Sequence, residues 1–108
     1  MTGKLTYKTD VYAFGVVLFE LLSGRHAVDR SYREDHHSLI SWAQECVQER
    51  KIDQMVDPKL KGEISTKCLS RFAQIAERCV RNVSKERPTM SELVASLQAL
   101  LEQQEESA

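Results

Sequence analysis

The side chains of this 108-residue chain best suited to chemistry are its imidazoles His26, His36 and His37, its thiols Cys46, Cys68 and Cys79, and the adjacent carboxylates Glu34 and Asp35. Neighbouring histidines do not easily meet one ion, and no Cys or His stands at zinc-ligand spacing, so no metal site is expected. The cysteines are odd in number and lack C-x-x-C spacing, which argues against a disulfide framework and for three reduced thiols in a cytosolic setting. Glu34 and Asp35, next to His36, have the composition of an acid–base pair. The charged, aperiodic stretch 25–37 around them reads as a long loop, however, and a loop of that kind does not hold reacting groups in place. Ser23, Ser38, Ser41, Thr66 and Ser84 are possible phosphorylation sites, and helix capping accounts for several of them. No catalytic, cofactor-binding or metal-ligating residue is therefore expected.

Composition sets the class. With 42% hydrophobic and 29% charged residues the balance is globular, and the length suits one domain. Fifteen basic against sixteen acidic residues leave a net charge of -1, so nucleic acid and anionic membrane surfaces are not indicated as partners. No apolar run approaches the roughly 20 residues needed to span a bilayer.

Periodicity supplies four helices and no convincing strand. Val11, Phe14, Val17, Leu18, Leu21 and Leu22 recur at helical spacing, and Val16 and Phe19 make that helix apolar nearly all round, so it requires cover on several sides. Its expected span is 10–23, with Thr9 as N-cap, Asp10 at the positive end of the dipole and Gly24 as a left-handed stop. Gly15 in its interior costs about 1 kcal/mol against Ala, which predicts close packing there. Ser38 is placed to cap a second helix, whose stripe is Leu39, Ile40, Trp42, Ala43, Cys46 and Val47, with Arg50 and Lys51 at its end. Asp57-Pro58 and Lys61-Gly62 punctuate the next connection. A third helix over 66–81 buries Leu69, Phe72, Ala73, Ile75, Ala76, Cys79 and Val80, and is expected to expose Lys67, Ser70, Arg71, Glu77 and Arg78. Thr89 and Glu92 have capping-box spacing ahead of a last helix with Leu93, Val94, Leu97, Leu100 and Leu101 on its stripe, ending near Gln103. The acidic tail, 104–108, is expected to fray.

Four anchors in one order then point to a family. Asp10-Val11-Tyr12-Ala13-Phe14-Gly15-Val16-Val17-Leu18 resembles the D-V-Y-S-F-G-V-V-L helix of plant receptor-like serine/threonine kinases, with Ala13 in place of the commoner serine. Ser23-Gly24-Arg25 with Ser38-Leu39-Ile40-Ser41-Trp42-Ala43 is similar to the G-R, variable loop, L-x-x-W-A pattern, and Val56-Asp57-Pro58-Lys59-Leu60 to the D-P-x-L turn. Cys79-Val80 and Arg87-Pro88-Thr89-Met90 resemble the C-V and R-P-T-M pair. Residues 1–103 are thus identified as a partial kinase domain, the all-α C-terminal portion of the large lobe. The segment Met1-Thr2-Gly3-Lys4-Leu5-Thr6 resembles the stretch just after an A-P-E-type motif, so Met1 is expected to be an internal methionine of a longer reading frame.

The resemblance carries specific implications. The full-length parent would transfer the γ-phosphoryl of ATP to protein serine or threonine with Mg2+. The Gly-rich loop, strand lysine, catalytic-loop aspartate and D-F-G aspartate that do so lie N-terminal to this stretch, so these 108 residues alone are expected to be inactive and to bind neither ATP nor metal. Asp10 resembles the residue that accepts backbone hydrogen bonds from the catalytic loop. Read without the resemblance, it is a helix N-terminal carboxylate. Arg87 resembles the arginine paired with the A-P-E glutamate; without that partner it is expected to be solvent-exposed or destabilising. Trp42 is either a docking anchor or a core residue, and its place on the stripe favours the core. Partners are expected to be missing kinase segments, other proteins, or a second copy through exposed apolar surface. The expected location is cytosolic, with any membrane tether upstream in the parent. A non-catalytic helical interaction module is the competing function, and an unrelated helical bundle the third.

Overall fold

The computed structural model describes residues 3–25 and 39–107. Among them are six α-helices and one 3-10 turn: α1 (Gly3–Ser23), α2 (Leu39–Gln48), α3 (Ile52–Met55), α4 (Pro58–Lys61), α5 (Thr66–Cys79), the turn Ser84–Glu86, and α6 (Met90–Ser107). No strand occurs among the described residues, as periodicity implied.

Four long helices lie where the apolar repeats put them, and their ends are where local chemistry corrects the sequence reading. α1 begins at Gly3 rather than at Asp10, so Thr9 is an interior residue and not the N-cap. Nothing from Gly3 to Thr9 breaks a helix, and propagation adds a hydrogen bond for each residue fixed. Gly24 ends the helix as expected, with φ 74° and its N–H donating to the Glu20 carbonyl at 2.9 Å. At the end of α2, Lys51 N donates to Cys46 O at 2.7 Å and Arg50 N to Val47 O at 3.2 Å. That is a Schellman stop, with Arg50 at φ 60° in the position usually given to glycine.

The connection after α2 is not a bare loop but two single helical turns. Asp57 caps the second by accepting from Lys59 N at 3.0 Å, with Pro58 at the first helical position. The Asp57 N–H donates to Leu22 O at 2.8 Å, so the same residue satisfies a terminal carbonyl of α1. Ser65 caps α5, accepting from Cys68 N at 3.2 Å. The reciprocal capping box of α6 forms as its spacing predicts: Glu92 N donates to Thr89 Oγ1 at 3.0 Å and Thr89 N to Glu92 Oε1 at 2.8 Å. α6 then runs on to Ser107, so residues 104–107 continue the helix instead of fraying; Glu and Gln favour helix and no breaker intervenes.

α1 packs chiefly on α5, and α5 in turn on α6. One core cluster joins Leu18, Phe19 and Leu22 of α1 to Leu39, Ala43 and Cys46 of α2 and to Ala73, Ala76 and Val80. A smaller one joins Val11, Cys79 and Leu93. Gly15 permits a close approach of α1 and α5. A Cβ there would lie 2.6 Å from Cys79 Cβ and 2.7 Å from Val80 Cγ1, which explains a residue that helix propensity alone disfavours.

Candidate functional site

Arg87 organises the most interconnected polar cluster. It follows the 3-10 turn, half-buried, where Nε donates to Arg81 O at 2.7 Å, Nη1 to Lys8 O at 3.1 Å and Nη2 to Asn82 O at 3.3 Å. The guanidinium also sits 5.0 Å from the centroid of the Tyr12 ring, within cation–π range. Lys8 Nζ returns a hydrogen bond to Arg87 O at 2.7 Å. The arginine is therefore neither solvated nor left as an uncompensated buried charge. Within these residues carbonyl oxygens and an aromatic face hold the guanidinium, partners that leave no mark in a residue pattern.

Asp10 is the eighth residue of α1, exposed and inside the helix, so it has no N-terminal dipole role here. Trp42 is half-buried and packs against the main core. The Arg25 guanidinium covers its ring at 4.9 Å from the centroid. The structure thus keeps Asp10, Arg87 and Trp42 in separate environments. His26, His36, His37, Glu34, Asp35 and Ser38 lie outside the described residues. No cluster of three His, Cys, Asp or Glu that could hold a metal occurs among those described, and no helix among them is long and apolar enough to cross a membrane.

Glu77 is the residue most misjudged by periodicity. Expected on the polar face of α5, it is only 6% exposed. Its carboxylate accepts from Arg81 Nη2 at 2.7 Å and from Nε at 3.1 and 3.2 Å. This fork geometry holds the guanidinium still more firmly protonated, with Glu86 assisting at 3.5 Å. The i, i+4 spacing signalled a pair; burial by α2, whose Gln44 Nε2 donates to Val80 O at 3.3 Å beside it, did not show in the sequence. Cys46, Cys68 and Cys79 are all free and buried. Burial pushes the Cys79 thiol up to about 11, and burial with Glu45 and Glu49 raises that of Cys46, so both are poor nucleophiles.

Among the described residues an apolar surface also stands open. Phe14, Val17 and Leu21, spaced i, i+3, i+7 on α1, are 38%, 45% and 65% exposed. Leu21 also lines a groove of about 430 Å3 with Leu22, Leu60, Phe72, Leu97 and Leu101, whose walls are almost wholly hydrocarbon. Leu101 and Val94 of α6 are themselves 60% and 55% exposed. An apolar face of this kind, on a helix whose opposite side is tightly packed, is a surface built to be covered.

Comparisons with known proteins bear on what covers it. The sequence pattern of the protein tyrosine and serine/threonine kinase family matches residues 1–97. The chain is 50% identical over 101 residues to PTI1-like tyrosine-protein kinase 3 of Arabidopsis thaliana, covering 94% of this chain and 25% of that protein. It is 42% identical over 103 residues to the EPD1-interacting receptor-like cytoplasmic serine/threonine-protein kinase of Nicotiana benthamiana, covering 94% of this chain and 22% of that one. Its fold is similar to the solved pseudokinase domain of BIR2, an immune regulator of the RLK/Pelle family, with a TM-score of 0.78 at 35% identity over 91% of this chain and 29% of that structure. The chain thus spans about a quarter of the length of these relatives.

Proposed function

The chain belongs to the protein tyrosine and serine/threonine kinase family, and from that premise we propose that it serves as the non-catalytic scaffold of a plant receptor-like kinase domain, completed by segments that cover the bare face of α1. The carrying observation is the Phe14, Val17 and Leu21 stripe. Such a stripe beside a hydrocarbon groove is stable in water only when another element lies on it. In this reading the completed kinase transfers the γ-phosphoryl of ATP to a protein hydroxyl, most simply serine or threonine. Asp10, exposed on α1, is free to accept backbone hydrogen bonds from the catalytic loop. Trp42, packed beneath Arg25, offers its exposed edge as a docking contact.

ATP and Mg2+ would be held elsewhere in the completed domain. Among the described residues no three metal-ligating side chains come together. A cytosolic location fits the cytoplasmic kinase among the relatives.

The test is to purify the 108-residue chain alone and together with the preceding kinase segment of the PTI1-like relative. Alone it should show no phosphate transfer with Mg-ATP, bind an apolar dye and self-associate. The added segment should form a complex and suppress the dye signal. A dye-negative, cooperatively unfolding monomer that ignores the segment would overturn this reading and favour a self-sufficient interaction module.

A further inference from the structure

A second surface, on the side of α5 that faces α6, has a different character. Lys67, Arg71, Gln74 and Arg78 follow one another at i, i+4, i+7 and i+11 along α5, and all four are exposed. Between α5 and α6 runs a groove of about 410 Å3, walled by Arg71, Gln74 and Arg78 of α5 and by the small residues Ala95, Ser96 and Ala99 of α6, with Ile75 and Leu100 the more buried apolar side chains lining it. Arg71 is held at one end by Nη1 donating to Gln103 Oε1 at 3.0 Å. At the other end Arg78 lies near Glu92, whose carboxyl is lowered chiefly by its Thr89 hydrogen bonds and only secondarily by that charge, and which is committed to the capping box. The chain as a whole carries a net charge of -1; this face carries concentrated positive charge.

From this geometry we infer that the α5–α6 groove binds an extended acidic protein segment with two carboxylates three residues apart. Arg71 and Arg78 are seven residues apart on one helix, about 10.5 Å along the axis. A polyproline II segment returns to the same edge every three residues, about 9.3 Å on, so its carboxylates meet both guanidinium groups. A β-strand places same-side carboxylates at about 6.6 or 13 Å, too near or too far. The small side chains of Ala95, Ser96 and Ala99 on the α6 wall leave room for a peptide backbone beside the arginines. Arg rather than Lys at both ends suits forked, two-point recognition of carboxylate.

The inference is independent of what covers α1. Fluorescence anisotropy of the full chain with a labelled peptide bearing Glu-Pro-Pro-Glu, in about 50 mM salt to limit screening, tests it directly. Binding should weaken about tenfold when Arg71→Gln and Arg78→Gln are combined, the scale of two lost surface ion pairs, and should fall further in high salt. Circular dichroism should show the variant folded. A peptide with Glu-Pro-Glu spacing should bind as weakly as the variant does. Equal binding of both spacings, equal binding by the arginine variant, or a helical peptide with glutamates seven apart binding tightest would each overturn the inference. So would binding to phosphatidylserine vesicles without binding to the peptide, which would make the face a membrane contact.

Discussion

The two sides of α1 use the same residue types in opposite circumstances. On the side facing α5, Gly15 removes even a methyl so that Cys79 and Val80 can approach, while Leu18, Phe19 and Leu22 are at most 4% exposed. On the other side Phe14, Val17 and Leu21 have no such partner surface and remain substantially exposed. Hydrophobicity alone does not distinguish them, since the helix is apolar nearly all round. Shape does: the packed side is complementary to a particular neighbour, and the bare side is only greasy.

The sharpest way to break this contrast is Gly15→Ala. Better helix propensity gives back up to about 1 kcal/mol, but overpacking against Cys79 and Val80 should leave a net loss of about 2 kcal/mol, seen as a melting temperature lower by about 10 °C. Next in size is Arg81→Ala, which strands the buried Glu77 carboxylate behind the packed seam. A loss of about 1–2 kcal/mol in urea unfolding is expected, and Arg81→Lys should restore only part of it, because Lys lacks the fork. Thr89→Ala removes the α6 cap and should cost about 1 kcal/mol.

The capping box also has a pH signature. Backbone and side-chain hydrogen bonds from Thr89 lower the Glu92 carboxyl. Its contribution is therefore present above the ordinary carboxylate range and lost as pH falls through its folded value. Thr89→Ala should flatten that acid limb. At the alkaline end the Cys79 thiol runs the other way. With its folded value raised to about 11, its contribution is intact below the usual thiol range and declines as pH rises towards that value. A thiol reagent at pH 8 should therefore label Cys79 only at the rate of unfolding, which would sharpen the identification of the packed side. The smallest effect on stability belongs to the bare side. Changing Phe14, Val17 and Leu21 together to Gln should alter unfolding by less than about 1 kcal/mol, yet abolish dye binding and self-association measured by sedimentation.

Residue pattern revealed most of the frame because helices announce themselves through periodicity and their ends through caps. The Thr89–Glu92 box, the Gly24 stop and the close approach at Gly15 are all local demands with few sequence solutions. Glu77 was hidden for the converse reason: whether a carboxylate on a helix flank is exposed depends on which helix lies beside it. Thr9 has the side chain of a cap but stands within a helix that simply continues upstream. Arg87 was visible as a residue requiring partners, whereas its carbonyl partners were not. Lys67, Arg71 and Arg78 were legible as exposed residues of one helix face, but a net charge near zero, which sums over surfaces that a partner meets one at a time, gave no sign of the groove they border.

The close approach at Gly15 also sets an order of events during synthesis. The α1 surface that packs on Cys79 and Val80 leaves the ribosome before α5 does and must wait for roughly 60 further residues, on the order of 3–12 s at ordinary elongation rates. The Lys8–Arg87 exchange spans 79 residues and closes later still. For that interval the side of α1 that meets α5 is uncovered, and a nascent chain stalled before α5 is the form in which chaperones should hold it longest.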